Sequence, residues 1–180
     1  MSETLKARAA SAVAAGLFIG MAVTANWMTS HYGLVPIGFG LVTTAGTFAA
    51  GMVLLLRDVV QDLGGRWWVI ACIAIGAALS VVLASPQLAM ASGVAFAVSE
   101  FADAAVYTPL RQRGWARAAF ASGVVGSIVD TWLFLTLAGF PLWQSAPGQL
   151  LVKVGVTAIA VGLVVVTRAV LRNRLRPVSA

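Results

Sequence analysis

The sequence predicts an all-α membrane protein in which six transmembrane helices form one bundle with both termini in the cytoplasm. Of its 180 residues, 60% are hydrophobic and 10% are charged, whereas a soluble domain carries about 25% charged residues. So few polar residues cannot cover a water-soluble globule, which argues against a cytosolic enzyme, a secreted disulfide scaffold and a disordered chain. Six apolar runs approach the roughly 20 residues that span a bilayer.

The apolar runs are separated by short polar connections, and none of these connections is long enough to hold a domain. The first run follows Lys6 and Arg8, and the third begins after a Gly64-Gly65 pair. A Ser85-Pro86 turn separates the third run from the fourth. The predicted spans are residues 9–28, 34–56, 67–84, 88–108, 116–138 and 148–168, within a single domain over residues 1–180.

The basic residues set the predicted orientation. Eleven of the twelve Lys and Arg residues lie before the first span or after the second, fourth and sixth spans. By the positive-inside rule this alternation indicates an even number of crossings with cytoplasmic termini, in a multi-pass protein of the cell membrane. It also argues against removal of the first span as a secretory signal, which would make the count odd. Because the basic residues stand at segment ends, with no basic face or known motif, we expect no nucleic-acid partner.

Four ionisable residues are predicted to lie at membrane depth, where each costs at least ~2.5 kcal/mol unless it is paired or functional. They are Glu100, Asp103, Asp130 and Lys153. From the helical rise, Asp130 lies roughly 20 Å from the level of Arg117, and Lys153 roughly 22 Å from that of Arg168. At about the same depth, Asp130 and Lys153 are predicted to form an ion pair between the fifth and sixth spans.

Two polar helix faces are predicted to enclose a pocket between the fourth and fifth spans. Glu100, Asp103 and Tyr107 share one face at spacings of three and four residues. Ser122, Gly126 and Asp130 form a small polar face on the fifth span. No cation on the apolar part of the fourth span compensates the two acids there, so we expect at least one of them either to be protonated or to accept a cationic or hydrogen-bond-donating ligand.

The sequence contains no pattern typical of a catalytic or metal site. His31 is the only histidine and lies in a predicted outer loop, and Cys72 is the only cysteine. There is no Ser-His-Asp set, no HExxH, no Walker loop and no Cys/His ligand group. We therefore expect no enzyme activity, no bound metal and no cofactor.

The run SEFADAAVYTPLRQRGWARAAFASGVVGSIVDTWLFL, residues 99–135, resembles the signature of the queuosine precursor transporter (VUT) family of bacterial six-helix membrane proteins. The resemblance extends to Asn26, to Asp58 followed by Gly64 and Arg66, and to Lys153. It implies import of a 7-deazaguanine such as preQ0 or preQ1, whose N–H edge a carboxylate accepts well.

Taken with the resemblance, the polar residues divide into two expected groups. The expected substrate-binding residues are Asn26, Glu100, Asp103, Tyr107, Ser122, Asp130 and Lys153. The expected structural or gating residues are Asp58, Arg66, Arg111 and Arg117.

Two other classes of function stay open at the sequence level. The chain could be the substrate-binding membrane subunit of an ATP-driven vitamin or base importer, docking through a small-residue ridge that includes Gly16 and Gly20. It could also be a structural membrane protein without a ligand. A homodimer is a further alternative, because six helices make a thin bundle.

Overall fold

The computed structural model describes residues 3–174 as six α-helices, a β-hairpin and one short 3-10 turn. The helices are α1 (Glu3–Tyr32), α2 (Thr47–Gly64), α3 (Arg66–Leu83), α4 (Pro86–Leu110), α5 (Trp115–Ala138) and α6 (Leu142–Arg174). The strands are β1 (Leu34–Gly38) and β2 (Leu41–Thr44), and the 3-10 turn is Arg111–Arg113.

Five of the helices, all except α2, are long and apolar enough to cross a membrane. The 18 residues of α2 include three charges, Arg57, Asp58 and Asp62. α1, α4, α5 and α6 each contain an expected span, and α3 ends one residue before the end of its expected span. The molecule is thus a helical multi-pass membrane protein.

The expectation of one helical span over residues 34–56 was wrong for its first thirteen residues, because α2 begins only at Thr47. Residues 34–44 form the antiparallel hairpin, in which Leu34 pairs with Thr44. Pro36 cannot donate a helical hydrogen bond, and Gly38 and Gly40 have φ angles of 93° and 73°, which favour glycine. β2 packs on α6. Pairing between the two strands gives their backbone groups hydrogen-bond partners in place of those of a helix.

The helices pack through small residues and two apolar clusters. One cluster joins α1, α2 and α3 around Phe18, Val53 and Cys72. The other joins α4 and α5, where Ala91 and Ala95 are fully buried. Alanine at these positions lets the two helix backbones approach closely.

Two glycines fix the position of the hairpin and of the start of α2. A Cβ on Gly148 of α6 would overlap the carbonyl oxygen of Val42 in β2. A Cβ on Gly46, the residue before α2, would overlap the carbonyl oxygen of Ala25 in α1. Because backbone atoms cannot turn aside as a flexible side chain can, these positions admit only glycine without movement of the hairpin.

Gly148→Ala is therefore expected to lower the free energy of unfolding by about 3 kcal/mol, near the upper end for overpacking. The matched control is Gly155→Ala on the same helix, where an added Cβ meets nothing within 4 Å. In this control variant the free energy of unfolding is expected to rise by up to about 1 kcal/mol, because alanine is a better helix former than glycine. Unfolding by denaturing detergent measures both variants, and equal shifts would contradict the close approach of α6 and β2.

Candidate functional site

An internal cavity lies among the six helices and β2. Its main polar lining residues come from α1, β2, α2, α5 and α6, and its aromatic wall comes from α1, α4 and α5. The polar residues that carry its chemistry are Asn26, Thr44, Thr47, Asp130, Gln149 and Lys153, and the aromatic residues are Phe18, Phe96 and Phe134.

An ion pair between Asp130 and Lys153 stands at one wall of this cavity. The Lys153 ammonium donates to Asp130 Oδ2 and, at 3.3 Å, to Thr131 Oγ1. The Lys153 side chain is only 3% exposed, so the carboxylate of Asp130 is what balances its charge. The ion pair predicted from helix depth is confirmed.

A chain of hydrogen bonds continues from this pair to the hairpin. Lys153 Nζ lies 3.4 Å from Gln149 Oε1, and Gln149 Nε2 donates to Thr44 Oγ1 at 2.8 Å. Thr44 Oγ1 is 2.9 Å from Thr47 Oγ1 in the first turn of α2. All of these side chains are buried. The network therefore ties α5, α6, β2 and α2 together around the cavity.

Asn26 crosslinks three helices at another wall of the cavity. Its Nδ2 donates to Ser80 Oγ at 3.0 Å and to Ser92 Oγ at 2.8 Å, so both amide hydrogens are used. Among the described residues, neither Asn26 Oδ1 nor Asp130 Oδ1 accepts a hydrogen bond. The cavity is thus lined by residues with two spare hydrogen-bond acceptors.

Glu100 and Asp103 do not line the cavity; they contact Arg57 of α2. Arg57 Nε lies 2.6 Å from Glu100 Oε1, and Arg57 Nη2 lies 3.3 Å from Asp103 Oδ2. The expectation that these acids lack a cation was wrong, because the cation comes from a different helix. With residues 34–44 in the hairpin, Arg57 is the eleventh residue of α2 instead of an interfacial residue at its end.

Of the other expected site residues, those whose side chains the structure describes lie outside the cavity lining. Tyr107 is half-buried one turn beyond Asp103, and the Ser122 hydroxyl donates to the Ala119 carbonyl at 3.4 Å. Arg66, Arg111 and Arg117 are exposed at helix ends, and the side chain of Asp58 lies outside the described part of the molecule. Among the side chains that the structure describes, which exclude that of Asp58, no group of three or more His, Cys, Asp or Glu could hold a metal ion.

Three participants were missed at the sequence level: Gln149, Thr44 and Arg57. Gln149 lies one helical turn before Lys153, and the spacing of four residues could have identified it. Thr44 becomes a neighbour of Gln149 only because residues 34–44 fold back as a hairpin. Arg57 is a charged residue beside an apolar run, which could have marked it as a candidate. Its depth in the helix bundle, however, depends on where α2 begins.

Comparison with known proteins identifies one family. A family model described as "Putative vitamin uptake transporter" matches residues 6–167. No curated protein and no solved structure matches the chain.

Proposed function

Because the chain belongs to this vitamin uptake transporter (VUT) family, a family of small-molecule importers in the membrane, we propose that it imports a 7-deazaguanine precursor of queuosine. PreQ0 and preQ1 are the substrates of this class that fit the resemblance of residues 99–135. The base would bind in the cavity lined by Asn26, Asp130 and Lys153.

The observation that carries this proposal is the pair of spare acceptors, Asn26 Oδ1 and Asp130 Oδ1. A 7-deazaguanine presents adjacent N–H donors on its guanine-like edge. Each of these donors needs an acceptor in the protein once the base has left water. Asp130 is a charged acceptor, which makes the stronger hydrogen bond. Its charge is balanced by Lys153, so the site does not require a charged ligand.

The apolar part of the cavity suits a flat ring. Phe18 and Phe96 meet edge to face with ring centroids 5.8 Å apart, and Phe134 lines the same cavity. Aromatic rings pack favourably against other ring systems in offset or edge-on arrangements. The combination of a few polar groups with an aromatic wall is typical of small-molecule sites.

The interrupted second segment also supports transport. The predicted second span is divided into the hairpin and α2, which begins at Thr47, and Thr47 lines the cavity. Discontinuous helices that start beside a central site are typical of secondary transporters, since they place polar backbone where a substrate binds.

The proposal predicts selective ligand stabilisation of the purified protein. In a thermal-shift screen, preQ0 or preQ1 at 100 times its Kd is expected to stabilise the folded protein by about 2.7 kcal/mol. Adenine is the matched control, because its ring is similar but it lacks the two adjacent donors of the guanine edge. Equal stabilisation by adenine, or none by any of the three compounds, would contradict a deazaguanine site.

A second candidate is the substrate-binding subunit of an ATP-driven importer. It is favoured by the exposed ridge on α1, where a Cβ added to Gly16 or Gly20 meets nothing within 4 Å. Such a ridge could receive a helix of another subunit. Uptake into liposomes by the purified chain alone supports the first candidate. Binding without uptake supports the second.

A further inference from the structure

The guanidinium of Arg57 binds the carboxylate of Glu100 through the edge that carries Nε and Nη2. Nε lies 2.6 Å and 2.7 Å from the two carboxylate oxygens, and Nη2 lies 2.5 Å from Oε2. Nη2 also reaches Asp103 Oδ2 at 3.3 Å. One edge of the guanidinium, with its adjacent N–H donors, thus engages both acids.

This cluster lies one helical turn from the cavity. On α2, Arg57 comes three residues after the cavity-lining Leu54, and on α4, Glu100 comes four residues after the cavity-lining Phe96. Those spacings correspond to roughly 4.5 Å and 6 Å along the respective helix axes. The three side chains are 15–23% exposed, so they are reachable without being fully solvated.

Asp103 also approaches the helix that carries Asp130. Its Cβ lies 3.5 Å from where a Cβ on Gly126 of α5 would stand. Gly126 precedes Asp130 by one helical turn on the same face. Asp103 is thus about one helical turn from Asp130 across the contact between α4 and α5.

Arg57 closes the space between two helices that do not pack closely. In the described residues, α2 packs on α1, α3 and α6, whereas α4 packs mainly on α3 and α5. The ion pairs of Arg57 bridge α2 and α4 by side chains. Such a bridge can open by rotation of one side chain, without separation of a packed helix interface.

This edge of Arg57 presents two adjacent N–H donors, as does the edge of a guanine-type base. A carboxylate can accept two hydrogen bonds from either pair of donors in the same bidentate arrangement. We propose that Glu100 and Asp103 form a second binding station for the substrate, which Arg57 occupies until the substrate displaces it on leaving the cavity. This inference rests on the proposed function and extends it from one binding site to two successive ones.

The test is the number of labelled preQ1 molecules bound by the purified full chain. We expect one in the wild type, two in Arg57→Gln, and one in Arg57→Gln combined with Glu100→Gln. One molecule in both the wild type and Arg57→Gln overturns the second station but leaves the proposed function intact. None in the wild type overturns the proposed function and, with it, the second station.

A second measurement covers the case in which Arg57→Gln does not fold. Glu100→Gln keeps the shape of the side chain but accepts more weakly, and it leaves the cavity lining unchanged. We expect its preQ1 Kd to stay within about twofold and its uptake rate to fall about tenfold. Thr108→Val, at an exposed position on the same helix, is the control and keeps both values. An unchanged uptake rate in Glu100→Gln overturns the second station.

Discussion

Lys153→Met is expected to lower the free energy of unfolding by about 3–5 kcal/mol, the cost of leaving one member of a buried ion pair without its partner. Lys153 is 2% exposed, and Asp130 is also buried. Methionine keeps the length and apolar stem of lysine, so the loss isolates the ammonium group. Unfolding of the purified protein in a mixed detergent titration measures the change.

The matched control for this prediction removes both charges at once. Asp130→Leu together with Lys153→Met is expected to regain most of the lost stability, because no uncompensated charge remains. The double variant is nevertheless expected to bind no preQ1, since Asp130 Oδ1 is gone. A single Lys153→Met variant as stable as the wild type would show that Asp130 does not depend on Lys153.

Asn26→Leu is expected to weaken preQ1 binding by about 5- to 150-fold, the effect of leaving one buried donor of the ligand unpaired at about 1–3 kcal/mol. Leucine has a similar size and no acceptor. The variant also loses the hydrogen bonds to Ser80 and Ser92, so its binding is measured on the folded fraction by equilibrium dialysis.

Thr24→Val on α1 is the control for Asn26→Leu. Thr24 is exposed, and its hydroxyl bonds only to the Gly20 carbonyl one turn earlier. Its preQ1 Kd is expected to match that of the wild type. If Asn26→Leu also retained the wild-type Kd, the base would not bind against Asn26.

The ion pair could be predicted because it depends on quantities that the sequence contains. Asp130 and Lys153 lie on continuous helices, and each can be measured along its helix from an arginine at the end. The energetic cost of a lone charge at that depth then requires a partner. Asn26, which is uncharged, was expected in the site because of the family resemblance and not because of this reasoning.

The position of Arg57 could not be predicted because it depends on the hairpin. Residues 34–44 are largely apolar, and a short apolar run does not distinguish a strand from a buried helix segment. When this run is taken as helix, Arg57 falls at the end of a span. When it folds as a hairpin, α2 starts at Thr47 and Arg57 reaches Glu100.

The placement of Glu100 and Asp103 shows a second limit of prediction from the sequence. Their spacing correctly places them on one side of α4, where both contact Arg57. Which neighbouring helix meets that side is a property of the packing, and a pattern within one helix does not contain it. The acids were therefore expected beside Asp130 in one pocket, whereas the cavity lining includes Asp130 without them.

The most direct test of the proposed site is an experimental structure of the full chain with preQ1 bound. We expect density for the base in the cavity, with its guanine edge within hydrogen-bond distance of Asn26 Oδ1 and Asp130 Oδ1. Density for the base elsewhere, with the cavity empty, would contradict the assignment of this cavity as the substrate site.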